Sequence, residues 1–230
     1  MKDKYLLLFI SLVFLNKTLL STPIPGLNTN IMSLQFGGLL CAGKSNELSS
    51  NASAYKKINI GSIFGFEYIK RTYAYNYHLG LNYLNEGYKY TLINSKETPL
   101  NQFIQSQEIE NKFISIALPL GLSYTVSETR TSTVDIGFKV LPKMLLKQIN
   151  YVKNNYVNEL VDIDNLNKKS EFNALSFGMN LFASIEIPIN YDYSISVIPN
   201  IQFNNYGSKK AELKSNLTCF GIKIGLNLIN

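Results

Sequence analysis

Tyr73-Ala-Tyr-Asn-Tyr-His-Leu-Gly-Leu-Asn-Tyr83 alternates without a break. Tyr73, Tyr75, Tyr77, Leu79, Leu81 and Tyr83 are large and apolar or aromatic. Ala74, Asn76, His78, Gly80 and Asn82 between them are small or polar. A period of two predicts one β-strand whose faces meet different solvents. Ten residues at ~3.3 Å each and a tilt of about 40° rise roughly 25 Å, the height of the apolar band on an outer-membrane barrel. The tyrosines gather at the two ends, where an apolar ring carrying a hydroxyl suits the boundary between hydrocarbon and water.

The same period recurs eight times along the chain. The apolar sets begin at Met32, Ile58, Tyr73, Ile114, Val134, Leu175, Tyr191 and Phe220, with Gly, Ser and Asn prominent on the opposite face. Long polar stretches near 43–55, 93–111, 148–170 and 205–216 alternate with short ones near 70–72, 127–131 and 189–190. Outer-membrane barrels alternate long outer loops and short periplasmic turns in this way. The expectation is an all-β protein: an eight-stranded antiparallel transmembrane β-barrel in the outer membrane of a Gram-negative bacterium, with both termini periplasmic. Pro119, Pro142 and Pro199 fall inside the proposed strands and predict bulges or strand ends there.

The chain has 230 residues, enough for one all-β domain, and only 17% are charged. Its one long apolar run is Tyr5–Leu15, behind Lys2 and Lys4, which has the form of a secretory signal peptide and is too short to span a bilayer. The domains expected are a signal peptide over 1–21 and the barrel over 22–230. Cleavage there removes three lysines and one aspartate from a net charge of +6, leaving a mild excess of about four. No basic stripe or zinc spacing points to nucleic acid or a metal, and no cofactor is expected. A secreted, soluble, lipocalin-like barrel is the competing fold. It would turn the faces round and expose Asn, Lys, Glu and Gly to water.

Phe113-Ile-Ser-Ile-Ala-Leu-Pro-Leu-Gly-Leu-Ser-Tyr124 resembles the Ile/Leu-Pro-Leu…Tyr strand of PorT-like outer-membrane β-barrel proteins of the Bacteroidetes. Ser184-Ile-Glu-Ile-Pro188 echoes it, and Gly80-Leu-Asn-Tyr-Leu84 is similar to the glycine-leucine-aromatic strands of that family. The resemblance implies a small membrane barrel, some of whose relatives assist protein secretion or gliding.

Alternation assigns Glu67, His78, Asp135, Lys139, Glu186 and Lys223 to the lumen. Enclosed charges must pair or be hydrated, so these form either a salt-bridged plug or the lining of a narrow ion path. Catalysis by His78, on the model of lipid-modifying barrel enzymes, would need a Ser and an acid converging on it at a membrane-facing cleft. His78 faces the lumen instead, and no catalytic residue is expected. Cys41 and Cys219 lie about ten residues from the periplasmic ends of the first and last strands, on the lumenal face. Closure of the sheet puts them near one another, as a close pair or a disulfide. Tyr68, Tyr73, Tyr75, Tyr83, Tyr124, Tyr191, Tyr193 and Phe203 are the expected aromatic girdles.

In the loops, Val152, Tyr156, Leu160 and Ile163 are spaced for one face of a short helix or for an extended hairpin. Lys209, Lys210 and Lys214 with Glu212 make a basic segment suited to anionic lipopolysaccharide or simply to water. Tyr55, Tyr88, Tyr90, Tyr151 and Tyr156 are candidates for adhesion. The functional expectation is a non-enzymatic barrel with a structural or loop-mediated role, its partners membrane lipid, lipopolysaccharide and, through the extracellular loops, a protein. A narrow pore and a lipid-modifying enzyme are the alternatives.

Overall fold

Period-two segments become strands wherever they can pair, and here they pair all the way round. A computed structural model describes residues 29–45, 54–72, 75–93, 104–129, 131–156, 161–166, 174–207 and 214–230. The expected signal peptide, Tyr73, Leu160, Lys209, Lys210 and Glu212 lie outside the described residues.

Among the described residues eleven strands are formed: β1 (Thr29–Ser45), β2 (Ala54–Lys57), β3 (Asn59–Arg71), β4 (Tyr75–Ile93), β5 (Ile104–Ala117), β6 (Leu120–Glu128), β7 (Thr133–Tyr156), β8 (Val161–Leu166), β9 (Leu175–Pro188), β10 (Tyr193–Gly207) and β11 (Lys214–Ile229). They make eight staves, because β2 and β3, β5 and β6, and β8 and β9 each lie in line against one neighbour. All neighbours are antiparallel. β1 pairs with β3 on one edge and β11 on the other, so the sheet closes into a ring. The seam runs from Ile31 opposite Ile229 to Ser45 opposite Ser215, and Asn30 and Asn230 exchange backbone hydrogen bonds of 2.9 and 2.8 Å below it.

Prolines explain two of the interruptions. Pro119 has no N–H, and the ladder parts between β5 and β6 at Leu118–Pro119. Backbone bonds bridge the gap: Gly80 N donates to Pro119 O at 3.0 Å and Leu118 N to Pro142 O at 2.9 Å. On β10, the pairs to β9 stop at Val197 and resume at Asn200, skipping Pro199, with no change of register. Pro142 itself stays within β7, opposite Phe177. The extra residue in β7 comes later: Ile114 opposes Lys147 but Ser115 opposes Leu145, a bulge at Leu146. Leu146 and Lys147 consequently both face out, and the alternation restarts with Gln148 inside.

The two faces are inverted relative to a water-soluble protein. Met32, Leu34, Phe36, Leu40, Leu79, Leu81, Ile222 and Leu226 point outward and are 41–61% exposed. Gln35, Glu67, His78, Lys139 and Lys223 point inward and are at most 7% exposed. A continuous apolar exterior of this kind needs hydrocarbon around it. The soluble, lipocalin-like alternative is thereby excluded, and the fold is an eight-stranded antiparallel transmembrane barrel of outer-membrane type.

Two expectations are corrected. The stretches 93–111 and 148–170 are not loops throughout: β5 begins at Ile104, β7 continues to Tyr156, and β8 occupies Val161–Leu166. Val152, Tyr156 and Ile163 thus belong to an extended hairpin and not to a helix. Tyr88 and Tyr90 are not surface residues. They face the lumen at 2% and 6% exposure, because the even positions of β4 keep pointing inward to its far end.

Candidate functional site

The lumen is filled in two tiers. Nearer the chain termini it is polar, and towards the opposite, distal end it becomes an apolar core. Leu39, Ile63, Leu84, Phe113, Tyr206 and Leu217 form that core, with Phe113 and Tyr206 stacked at 4.4 Å between ring centroids. Gly43 makes room for it, since a Cβ there would lie 2.6 Å from Tyr88 Cβ.

Of the six lumenal residues expected from alternation, all face the interior, and the structure sorts five of them into two groups. In the first, Glu67 on β3 accepts from Lys139 Nζ on β7, and His78 Nδ1 on β4 lies 2.6 Å from the same carboxylate oxygen. Lys223 stands apart and donates to Gln35 Oε1 at 2.7 Å. Small residues across the ladder give these long side chains their space: Gly80 opposes Glu67, Gly121 opposes Lys139, and Gly37 opposes Lys223. In the second group, Arg71 reaches Glu186 at 2.7 Å and Asp135 at 3.5 Å. Thr125 donates to Asp135 at 2.8 Å and Ser194 to Glu186 at 2.7 Å.

A third group was missed by sequence reading. Glu86 accepts from Lys143 Nζ at 2.6 Å, from Asn204 Nδ2 at 2.6 Å and from the Tyr206 hydroxyl, at the border of the apolar tier. The signal was available, because Glu86 continues the even positions of β4 and Lys143 the odd positions of β7. Among the described lumenal side chains, Glu67, Glu86, Asp135 and Glu186 are matched in number by Arg71, Lys139, Lys143 and Lys223. Among these residues the formal charges sum to zero.

Cys41 and Cys219 are directly opposed across the β1–β11 seam and joined by a disulfide, with Cα atoms 4.1 Å apart. Glu86 Oε2 lies 3.8 Å from Cys219 Sγ. The bond ties the first stave to the last at the level where the lumen turns apolar.

A serine and an acid do converge on His78. Ser123 Oγ is 2.8 Å from its Nε2, and Asn76 Nδ2 donates to that hydroxyl at 3.1 Å. An ionised Glu67 can only accept, so Nδ1 carries the hydrogen and Nε2 accepts from Ser123. All three residues are enclosed: Ser123 is 3% exposed, His78 7% and Glu67 0%. Phe182 lies edge-on to His78 at 5.3 Å and beneath the Lys139 ammonium at 4.2 Å.

The girdle residues divide by height. Tyr75, Tyr124, Tyr191 and Tyr193 are exposed near the terminal end, and Tyr75 packs on Tyr124 at 5.7 Å. Tyr68 is half-buried there and donates to Asn30 Oδ1 at 2.6 Å. Tyr83 and Phe203, 43% and 45% exposed, sit further towards the distal end. Tyr77, 53% exposed, joins the terminal group and had not been assigned to it.

No protein-family model matches the chain, and no curated protein does. Among solved structures, the outer membrane protease OmpT from Escherichia coli is 9% identical, with 91% of this chain and 98% of that one covered at a TM-score of 0.43. The outer membrane protein OprG from Pseudomonas aeruginosa is 11% identical over 89% and 97%, at 0.40. Ail, the attachment invasion locus protein of Yersinia pestis, is 10% identical over 86% and 98%, at 0.34. The likeness is one of outline, and the assignment of the fold rests on the closed ring and its inverted faces.

Proposed function

We propose that this chain is a sealed barrel of a Gram-negative outer membrane, PorT-like in kind, that works through its distal rim as a structural or interaction protein. Its termini lie in the periplasm and its longer connections outside the cell. The observation that carries this reading is the filled lumen. Two tiers of side chains cross it, and four anions are matched by four cations that have little access to water. A pore needs a hydrated path and a polar lining that ions can use. Here the charged side chains are engaged with one another and with neighbouring amides and hydroxyls.

The Ser123–His78–Glu67 chain is read as part of that plug. A lipid substrate would have to pass the barrel wall to meet the hydroxyl, and the lysine sharing Glu67 ties the acid into the packing. Conductance across planar bilayers tests the reading against a pore. The purified barrel is expected to give no discrete steps. Steps whose size changes on Lys223→Ala would establish an ion path and overturn it. An unchanged lipid A profile in cells carrying His78→Ala is the matching expectation against lipid-modifying catalysis.

A further inference from the structure

Beyond the apolar belt, one wall of the barrel is cationic among the described residues. The cationic wall is made by the distal parts of β4, β5 and β7 with β2 alongside. Lys57, Lys89, Lys112, Lys147 and Lys153 lie on its outer face, among two carboxylates, Glu108 and Glu110. Lys57 and Lys89 share Glu108 at 2.5 and 3.4 Å, and Lys112 meets Glu110 at 3.1 Å. Lys147 and Lys153 are exposed and have no ion pair among the described residues. On β1, β10 and β11 the outer-facing side chains described at the corresponding height include Ala42, Asn205, Asn216 and Thr218, which carry no charge.

We infer that this wall is a binding site for a phosphorylated glycolipid of the outer leaflet, of the lipid A type. Three features combine. First, the site has an excess of three positive charges where a phosphate-bearing headgroup would lie. Second, it has a shape: a cleft of about 270 Å³ lined by Lys89, Glu108, Glu110, Lys112, Tyr151 and Lys153. The Lys112 ammonium sits 5.2 Å above the Tyr151 ring, which holds it at the cleft wall. Third, the site is continuous with hydrocarbon. The bulge puts Leu146 and Lys147 side by side on the outer face, so an apolar residue of the belt and a cation of the wall are neighbours. Below them Met144, Leu118 and Leu120 are 46–49% exposed and offer a bed for acyl chains. A soluble polyanion would use the lysines and leave that bed empty, whereas an anionic amphiphile uses both.

The inference rests on the outer-membrane placement proposed above, which fractionation and the shift of the folded band on boiling test separately. The site itself is tested with the full chain in a neutral detergent, by native mass spectrometry against diphosphoryl lipid A. The variant is Lys112→Gln/Lys147→Gln/Lys153→Gln, with the exposed terminal-end Lys70→Gln as control. The triple variant is expected to bind diphosphoryl lipid A at least about tenfold more weakly, the control unchanged, and dephosphorylated lipid A equally poorly in all. Equal affinity of native and triple-variant protein would overturn the site. Inorganic phosphate binding as tightly as the lipid would overturn the glycolipid as its occupant. Because all three lysines are on the outer surface, loss of the fold is not expected. An unchanged circular dichroism spectrum of the variant checks this.

Discussion

At the scale of single residues, the barrel's interior trades simplicity for interlocking ion pairs. Glu67 carries Lys139 and His78 at once, fully enclosed. Removing one member of such a group leaves the others charged and unpaired, which costs more than the pair itself contributes. Glu67→Gln is therefore expected to destabilise the barrel by about 3–5 kcal/mol. Glu67→Gln/Lys139→Met should recover most of that loss. Far-UV circular dichroism during urea unfolding in lipid vesicles measures both, since the chain has no tryptophan to report by fluorescence. The surface carboxylate Glu108 behaves differently. The hydrogen bond from Lys57, aided by Lys89, holds its carboxyl below the ordinary value of 4.5. A depressed folded value means that its contribution is complete above about pH 4.5 and disappears as the pH falls through the lower folded value. For an exposed pair the effect stays within about 1 kcal/mol and fades in salt. Titration followed by NMR should show the Glu108 midpoint rising towards 4.5 in Lys57→Met.

At the scale of elements, register governs everything, because a slip of one residue exchanges hydrocarbon-facing and lumen-facing side chains. The bulge at Leu146 is the one place in β7 where a residue can be lost without that exchange. With Leu146 deleted, Leu145 still faces in, Lys147 out and Gln148 in. The deletion is thus expected to leave a folded, heat-modifiable barrel. Deleting Met144, two residues earlier, would turn either Lys143 and its predecessors or the residues after it to the wrong face. That chain should fail to show the folded band on a gel run without boiling. The same logic explains the distal extension. Alternation persists through β5 and β7 beyond the apolar belt, so the strands keep pairing outside the membrane and carry their lysines and glutamates on a rigid wall.

For the whole molecule, closure is the decisive event, since the seam joins residues nearly the full length of the chain apart. The disulfide spans 178 residues, Cys41 to Cys219, across that seam. On chain-entropy grounds a loop of this length restricts the unfolded state by up to about 5 kcal/mol. Cys41→Ser/Cys219→Ser is expected to lower the temperature at which the folded band converts to the unfolded one. Boiled native protein should migrate faster without reductant than with it, as a cross-linked chain does. Identical mobility, with both thiols free to alkylation, would show that the seam is held by backbone and packing alone.

Tyr73–Tyr83 and its repeats determined the strand number, the pairing sense and the choice of inner and outer faces, because a period of two is a local property that any single strand displays. Cys41 and Cys219 could be brought near one another from strand counting, since closure of an even-stranded ring makes the first and last strands neighbours. What only the tertiary structure decided is how the interior is shared out. Glu86 and Lys143 lie past the alternating stretches read most clearly, and Arg71 falls in the short polar stretch 70–72, so none of the three was assigned to the lumen. The apolar distal tier was not read, because alternation marks Leu84 and Phe113 as facing one side or the other but does not show which side chains meet across the lumen. The meeting of Ser123 with His78, and of Glu67 with Lys139, depends on which residues face each other across a closed lumen. That depends in turn on register shifts at single bulges and on small residues opposite large ones, which no alternation pattern encodes.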